Sequence, residues 1–316
     1  MTQTKTRARS RTISLAGALL TLALAAPTAH AFTVAPWAIV GVPGQVDVEA
    51  TLRRAPRWSA AGTSLTLADG ISVRVKSGFE TAMGASTPEQ AAQYQDALRR
   101  GLVAWESPVL SFDPVFDAPP FGEITIEVVP QTHWAFSSAP SFSGMTFVNT
   151  LQLPDRTFTN GDLVPGEAIV GASIFLNVTV LDGWLTLLTA SGIAPPNFRE
   201  IQIQRIVEHE IGHALGLWHP NETPYANFDS DSDPLTPIVV DPSNPFAGLH
   251  VVTSIDPDIT MWGGPLVSVF QLFSTGLHPD DIGGRDVLYP ALIPEPASAL
   301  LLSLGLAGLA ARRRGR

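Results

Sequence analysis

Residues 209–219 read HEIGHALGLWH, and no other stretch limits the fold as tightly. A helix brings His209 and His213 onto one face, because four residues advance about 6 Å, a little over one turn. Two imidazoles so placed can ligate one Zn²⁺. Glu210 sits beside the first of them. It points off that direction but can reach a water bound there, as a general base must. Gly216 then ends the helix, since a residue without Cβ takes a positive φ freely. The chain turns back and His219 approaches the same point. Three nitrogens with a fourth position open are the pattern of a catalytic zinc site, where a structural site is closed. Three of the chain's seven histidines fall in these eleven residues. His30, His133, His250 and His278 stand alone and are not assigned as ligands.

The two ends of the 316-residue chain differ from its middle. Residues 1–31 carry four basic and no acidic residues, an apolar run over 13–26, and the small-residue close AHA at 29–31. That is the layout of a secretory leader, with cleavage after Ala31 leaving Phe32 first. The apolar run is short for a span, which needs about 20 residues. The far end, residues 294–316, reads PEPASALLLSLGLAGLAARRRGR, with four arginines among the last five residues. Its apolar part, 297–311, is marginal for a free-standing span, and the arginines would stay on the cytoplasmic side. The order Pro294-Glu295-Pro296, apolar helix, arginine cluster resembles the PEP-CTERM sorting tail. That resemblance implies a temporary anchor removed by an exosortase-type membrane protease during export. A simple C-terminal membrane anchor is the alternative.

Without these ends, residues 32–293 hold 28 acidic and 11 basic residues, a formal charge of −17. So negative a surface argues against nucleic acid or an anionic membrane as partner. The chain has no cysteine, which excludes a disulfide framework and thiol chemistry. A domain of this size buries enough surface to be stable without disulfides.

Along the middle, residues 35–77 read as loops with one or more strands, among them the alternating ISVRV at 71–75. Thr87-Pro88-Glu89-Gln90 opens a helix with a capping box, and Pro108 lies beyond its end. Residues 121–130 alternate as a strand. Residues 142–153 and 168–180 give two more sheet elements, and 184–188 a short apolar turn. A second long helix covers 198–217, with Gly216 where it should stop. An acidic, proline-dense stretch over 220–257 follows, and a last amphipathic element begins after Leu277.

The string from His209 to His219 resembles the signature of metzincin zinc proteases, in the matrixin-like branch. The resemblance implies that His209, His213 and His219 are zinc ligands and that Glu210 is general base and proton shuttle. It also implies a methionine turn under the metal, for which Met261 in Asp258-Ile259-Thr260-Met261-Trp262 is the match. Asp280-Asp281-Ile282-Gly283-Gly284-Arg285-Asp286-Val287-Leu288-Tyr289 matches the helix that follows in matrixins, whose aspartate orients the site, with Pro290 in place of a final glycine. The strand around 171–177 resembles the edge strand that pairs with substrate. The resemblance spans 87–290 and departs in two places. His219 and Met261 are 42 positions apart, longer than the matrixin link. Trp262 stands where other branches carry a tyrosine, so no catalytic tyrosine is assigned, and Tyr289 is given to packing.

The expected fold is therefore α+β of the zincin/metzincin type. It has a twisted, mostly parallel sheet packed on long helices, an active-site helix, a Met-turn and a C-terminal helix. The expected divisions are a leader (1–31), an N-terminal strand and loop region (32–86), a catalytic domain (87–293) with an acidic insert at about 220–257, and the tail (294–316). The expected activity is exported, zinc-dependent endopeptidase action on extended protein or peptide substrates, by a monomer, at the cell surface or outside the cell. The carboxylates of Asp229-Ser230-Asp231-Ser232-Asp233 are of a kind that holds structural Ca²⁺, although a solvated acidic loop is the preferred reading. The alternative function is a non-catalytic surface or matrix-binding protein that keeps the fold, and the intact Glu210 speaks against it.

Overall fold

The computed structural model describes residues 32–58, 70–118, 123–157, 163–222, 226–231, 236, 238–241, 243–252, 260–261, 273 and 275–290. The leader, the C-terminal tail, Ser232, Asp233, Asp258, Ile259 and Trp262 lie outside them. The architecture is mixed, with helices packed on a mostly parallel sheet. Six strands form that sheet: β1 (Arg57–Trp58), β2 (Ile71–Lys76), β3 (Phe112–Ala118), β4 (Ile124–Val129), β5 (Gly144–Thr157) and β6 (Leu163–Asn177). The order is β1-β6-β4-β2-β3, all parallel, and β5 runs antiparallel along β6.

The alternation in the sequence sets which face is covered. In β2, Ile71, Val73 and Val75 are buried while Ser72 and Arg74 are partly exposed. Ile124 and Ile126 of β4 and Ala172, Ile174 and Leu176 of β6 join the same core. The opposite face carries polar pairs, with Lys76 bonded to Glu127 and the Ser72 backbone N–H donating to Glu123. Strand β6 also buries Phe175 in a second, smaller cluster with Val129, Ala135 and Phe136, whereas the alternation in β2 gives it one polar face and one apolar, covered face.

Two helices cover that side. Helix α1 (Pro88–Val103) starts as expected, with the Thr87 hydroxyl accepting from the Gln90 N–H. The return bond of the capping box is displaced by one residue: the Gln90 side chain accepts from the backbone N–H and hydroxyl of Ser86. Helix α3 (Phe198–Ala214) packs on α1 at a very close approach. A Cβ on Gly101 would lie 2.8 Å from a Val207 methyl and 2.9 Å from the Gln204 carbonyl oxygen. Arg100 donates to the Gln204 side chain, and the Trp105 indole donates to the Glu208 carbonyl at 2.7 Å. Helix α4 (Pro279–Leu288) closes the core from behind, capped by His278.

Several expectations are corrected. Residues 178–180, read as strand, and 184–188, read as a turn, belong to one helix, α2 (Val178–Ala190). The β-branched Val178-Thr179-Val180 favours a strand by propensity. Asn177 overrides it by ending β6 and capping the helix, its side chain accepting from Val180 N–H and donating to the Phe142 carbonyl. Within 35–77 there is also an unforeseen helix, Val48–Arg54, capped by Asp47. The strand at 171–177 is not an edge: β6 is flanked by β4 and β5, and β5 has no second partner among the described strands. The acidic insert is not uniformly solvated. Asp229 is buried in the strand Asn227–Asp229, which pairs with His250–Val252, and it accepts from the N–H of Ser230 and Asp231. Residues 32–58 contribute Phe32, Val34, Leu52 and Trp58 to the same core as the later elements.

The tight crossing gives a test. Gly101→Ala is expected to destabilise the protein by about 1–3 kcal/mol through overpacking against Val207, read as a lower urea midpoint at constant slope.

Candidate metal centre

Helix α3 presents His209 and His213 one turn apart, as their spacing predicts, with ring centroids 4.9 Å from each other. At the helix end Gly216 adopts φ +96°, and a Cβ there would meet the Pro56 carbonyl oxygen at 2.1 Å. The last helical carbonyls are not left bare. Ala214 O accepts from the Trp58 indole at 2.8 Å and Leu215 O from the Tyr289 hydroxyl at 2.9 Å. Tyr289 also accepts from Trp58 N–H, so it is a packing residue whose burial raises its pKa. Beyond Gly216, the strand Leu217–Trp218 pairs antiparallel with Thr33–Val34 and delivers His219 to the same point.

The three rings meet through Nε2. His219 Nε2 lies 3.1 Å from that of His209 and 2.9 Å from that of His213. Each Nδ1 is directed at an oxygen: His209 at the Thr260 carbonyl (2.6 Å), His213 at the Leu217 carbonyl (3.0 Å) and His219 at the Glu222 carboxylate (3.0 Å). The two carbonyls only accept, so the Nδ1 atoms of His209 and His213 carry their rings' protons. The His219–Glu222 contact is a close approach without hydrogen-bond geometry. The Nε2 lone pairs of His209 and His213 then face Nε2 of His219. Burial lowers the pKa of His209 to about 3 and that of His213 well below its usual value, with the neighbouring rings adding to the effect. Neutral imidazoles with converging lone pairs suit a cation, and tetrahedral zinc at about 2.0–2.1 Å from each nitrogen would need only slight spreading of the rings. Among the described residues this is the one metal-capable group.

Met261 packs against the histidine-bearing helix. It is 2% exposed, and its sulfur occupies the space of a Cβ on Gly212, 2.1 Å from that point. Only glycine lets the methionine pass under the helix between the two histidines. Its neighbour Thr260 supplies the carbonyl for His209, and the Thr260 N–H donates to Asp281 at 2.9 Å. Asp281 also accepts from His278 N–H at 3.0 Å, and burial raises its pKa to about 6. Asp281 thus holds the turn whose carbonyl accepts from His209.

Glu210 is 4% exposed. One carboxylate oxygen, Oε2, accepts from the Thr146 hydroxyl at 2.6 Å. The other, Oε1, lies over Gly144, 2.3 Å from where a Cβ would stand. Burial raises its pKa to about 8, against the opposing pull of Thr146. The edge strand β5 therefore supplies both a donor for this carboxylate and the space it occupies.

Sequence reasoning missed Thr146, Gly144, Glu208 and Glu222. Glu208, before His209, accepts from Gly276 N–H at 2.9 Å and fixes that segment to the helix. Glu222 alone had a local signal, an acid three residues after His219. Thr146 is 64 positions from Glu210, and nothing in the sequence links them. Of the isolated histidines, His133 and His278 cap a short 3₁₀ turn and α4, respectively.

Comparison with known proteins adds one assignment. Residues 292–314 match the PEP-CTERM protein-sorting motif. The chain therefore carries a sorting tail, which implies export and processing by an exosortase-type enzyme. No helix among the described residues is long and apolar enough to cross a membrane. No curated protein matches the chain in sequence. Among solved structures it is similar to the "GM1 bound form of the ECX AB5 holotoxin" at 14% identity and TM-score 0.36, over 71% of this chain and 82% of that one. That likeness is too low to carry an argument.

Two outcomes are expected. Asp281→Ala orphans the buried N–H of Thr260 and is expected to cost about 1–3 kcal/mol in urea unfolding. In the metal-free protein, Glu210 binds its proton more tightly when folded, from its usual 4.5 up to about 8. Its contribution to stability is therefore complete below pH about 4.5 and is lost as pH rises through about 8. Glu210→Gln should abolish that part of the decline, seen by comparing urea midpoints of the two proteins at pH 5 and pH 8.

Proposed function

We propose that this chain is an exported zinc-dependent endopeptidase of metzincin type, with His209, His213 and His219 as ligands and Glu210 as general base. The observation that carries the reading is the convergence of three Nε2 atoms on one point, with His209 and His213 hydrogen-bonded outward through Nδ1, beside the buried carboxylate of the next residue in the helix. A bound Zn²⁺ would supply Lewis acidity toward the scissile carbonyl and lower the pKa of its water.

The chain's own residues do the rest. Thr146 holds Oε2 of Glu210, leaving Oε1 over Gly144 to accept a proton from the attacking water. Glu210 then returns that proton to the nitrogen of the departing amine, so its charge is restored at the end of the cycle. Oε1 opens at Gly144, where β5 begins. An extended peptide adding to the outer side of β5 would run past this oxygen, bound by main-chain hydrogen bonds as an extra strand. The substrate strand is thus assigned to β5, in place of the segment at 171–177. Met261 and Asp281 act beneath the site by fixing the turn that orients His209.

The test uses the purified full chain. It is expected to hold one equivalent of zinc, to cleave casein, and to lose cleavage when a chelator removes the metal. Glu210→Gln should keep the zinc and lose at least about 10²–10⁴-fold in turnover. Undiminished cleavage by that variant, or a parent chain without stoichiometric zinc, would overturn the reading.

A further inference from the structure

We infer that Glu222 is a positioning residue for the metal centre, its carboxylate taking the Nδ1–H of His219 and so strengthening Nε2 of that ring as a ligand. The inference rests on the zinc reading above.

The three Nδ1 acceptors are not equivalent. His209 and His213 donate to neutral carbonyls, whereas His219 has a carboxylate oxygen 3.0 Å from its Nδ1, close enough to take that proton after a small turn of either side chain. A charged acceptor makes a stronger hydrogen bond than a carbonyl and draws the ring further toward imidazolate character, which raises the basicity of the opposite nitrogen. His219 is also the ring whose Nε2 contacts both of the others, so its orientation fixes the convergence point.

The carboxylate is held at both oxygens. The turn closed by Glu222 N–H to His219 O, at 3.1 Å, folds the side chain back over its own ring. Oε1 then lies 3.0 Å from Nδ1, and Oε2 accepts from the Trp218 indole at 3.2 Å. Rotation away would break both contacts. Trp218 is itself anchored, since its backbone pairs with Thr33 and its ring packs on Trp37 and His213 at 5.6 and 5.2 Å. Oε1 sits at the Nδ1 side of the imidazole, across the ring from Nε2, which makes Glu222 an outer partner and not a fourth ligand.

Exposure decides where the effect appears. The Glu222 side chain is 44% exposed, so as an ion pair it adds little to folding. Its effect belongs in metal affinity, where loss of an outer-shell partner of a ligating histidine typically weakens binding about 10–100-fold.

The experiment strips the purified full chain of metal and titrates zinc against a fluorescent chelator, with thermal unfolding of the metal-free proteins in parallel. Glu222→Gln is expected to bind zinc about 10–100-fold more weakly, with an unchanged metal-free melting temperature. An affinity within about twofold of the parent, well short of that range, overturns the proposal. Should Glu222→Gln disturb the metal-free fold, Glu222→Ala decides. It removes the carboxylate from a side chain that is 44% exposed and leaves the Trp218 ring on His213 in place, so weakened zinc binding supports the role and unchanged binding overturns it. A parent chain that takes up no zinc overturns the zinc reading itself, a separate result.

Discussion

The outward contacts of the Nδ1 atoms of His209, His213 and His219 are the constraint on which the rest of this structure depends. The first two are hydrogen bonds that fix a tautomer and a ring plane, the third is a carboxylate at 3.0 Å, and together they turn the three Nε2 atoms inward. The acceptors come from three places: the turn at Thr260, the strand after Gly216, and a side chain three residues beyond His219. Much of the fold serves to hold these acceptors still. Helix α4 holds Thr260 through Asp281, the N-terminal strand holds Leu217–Trp218 by pairing, and Trp58 and Tyr289 tie down the helix end between them.

Glu210, the proposed general base, is held by a different part of the molecule. Glu210 leaves the same helix but answers to the sheet, through the Thr146 hydroxyl and the open space over Gly144. A buried carboxylate with no charged partner is pushed toward its protonated form, and a single hydroxyl does not reverse that. The proposed cation, a charge at close range, would pull the other way and favour the ionised base. Metal occupancy and readiness of the base are thereby coupled through electrostatics, without any movement of the chain.

The ends and the middle answer to different requirements. The PEP-CTERM match at 292–314 concerns sorting, and residues 32–293 carry a formal charge of −17. Part of that acidity is structural. Asp281, Glu208 and Asp229 are buried against backbone N–H groups, where a carboxylate satisfies donors that apolar side chains would leave bare.

The sequence by itself determined what depends on near neighbours. It placed the helix that carries His209 and His213, the stop at Gly216, the strands whose alternation marks one covered face, the capping at Thr87 and the sorting tail. Helical period, glycine's freedom at positive φ and side-chain alternation are local rules, and they survive any packing. The element after Leu277 was legible from its amphipathic pattern, whereas Met261 was named only through likeness to a known signature, since nothing local marks it. Where two local rules competed, as at Val178-Thr179-Val180 behind Asn177, propensity gave the wrong element and the cap prevailed. What only the tertiary structure decided is the register between distant segments: β5 and not β6 at the edge, Thr146 on Glu210, Asp281 on Thr260, Met261 in the notch at Gly212. These contacts exist because the sheet and two helices pack at fixed distances, and a chain read one residue after another carries no measure of that distance.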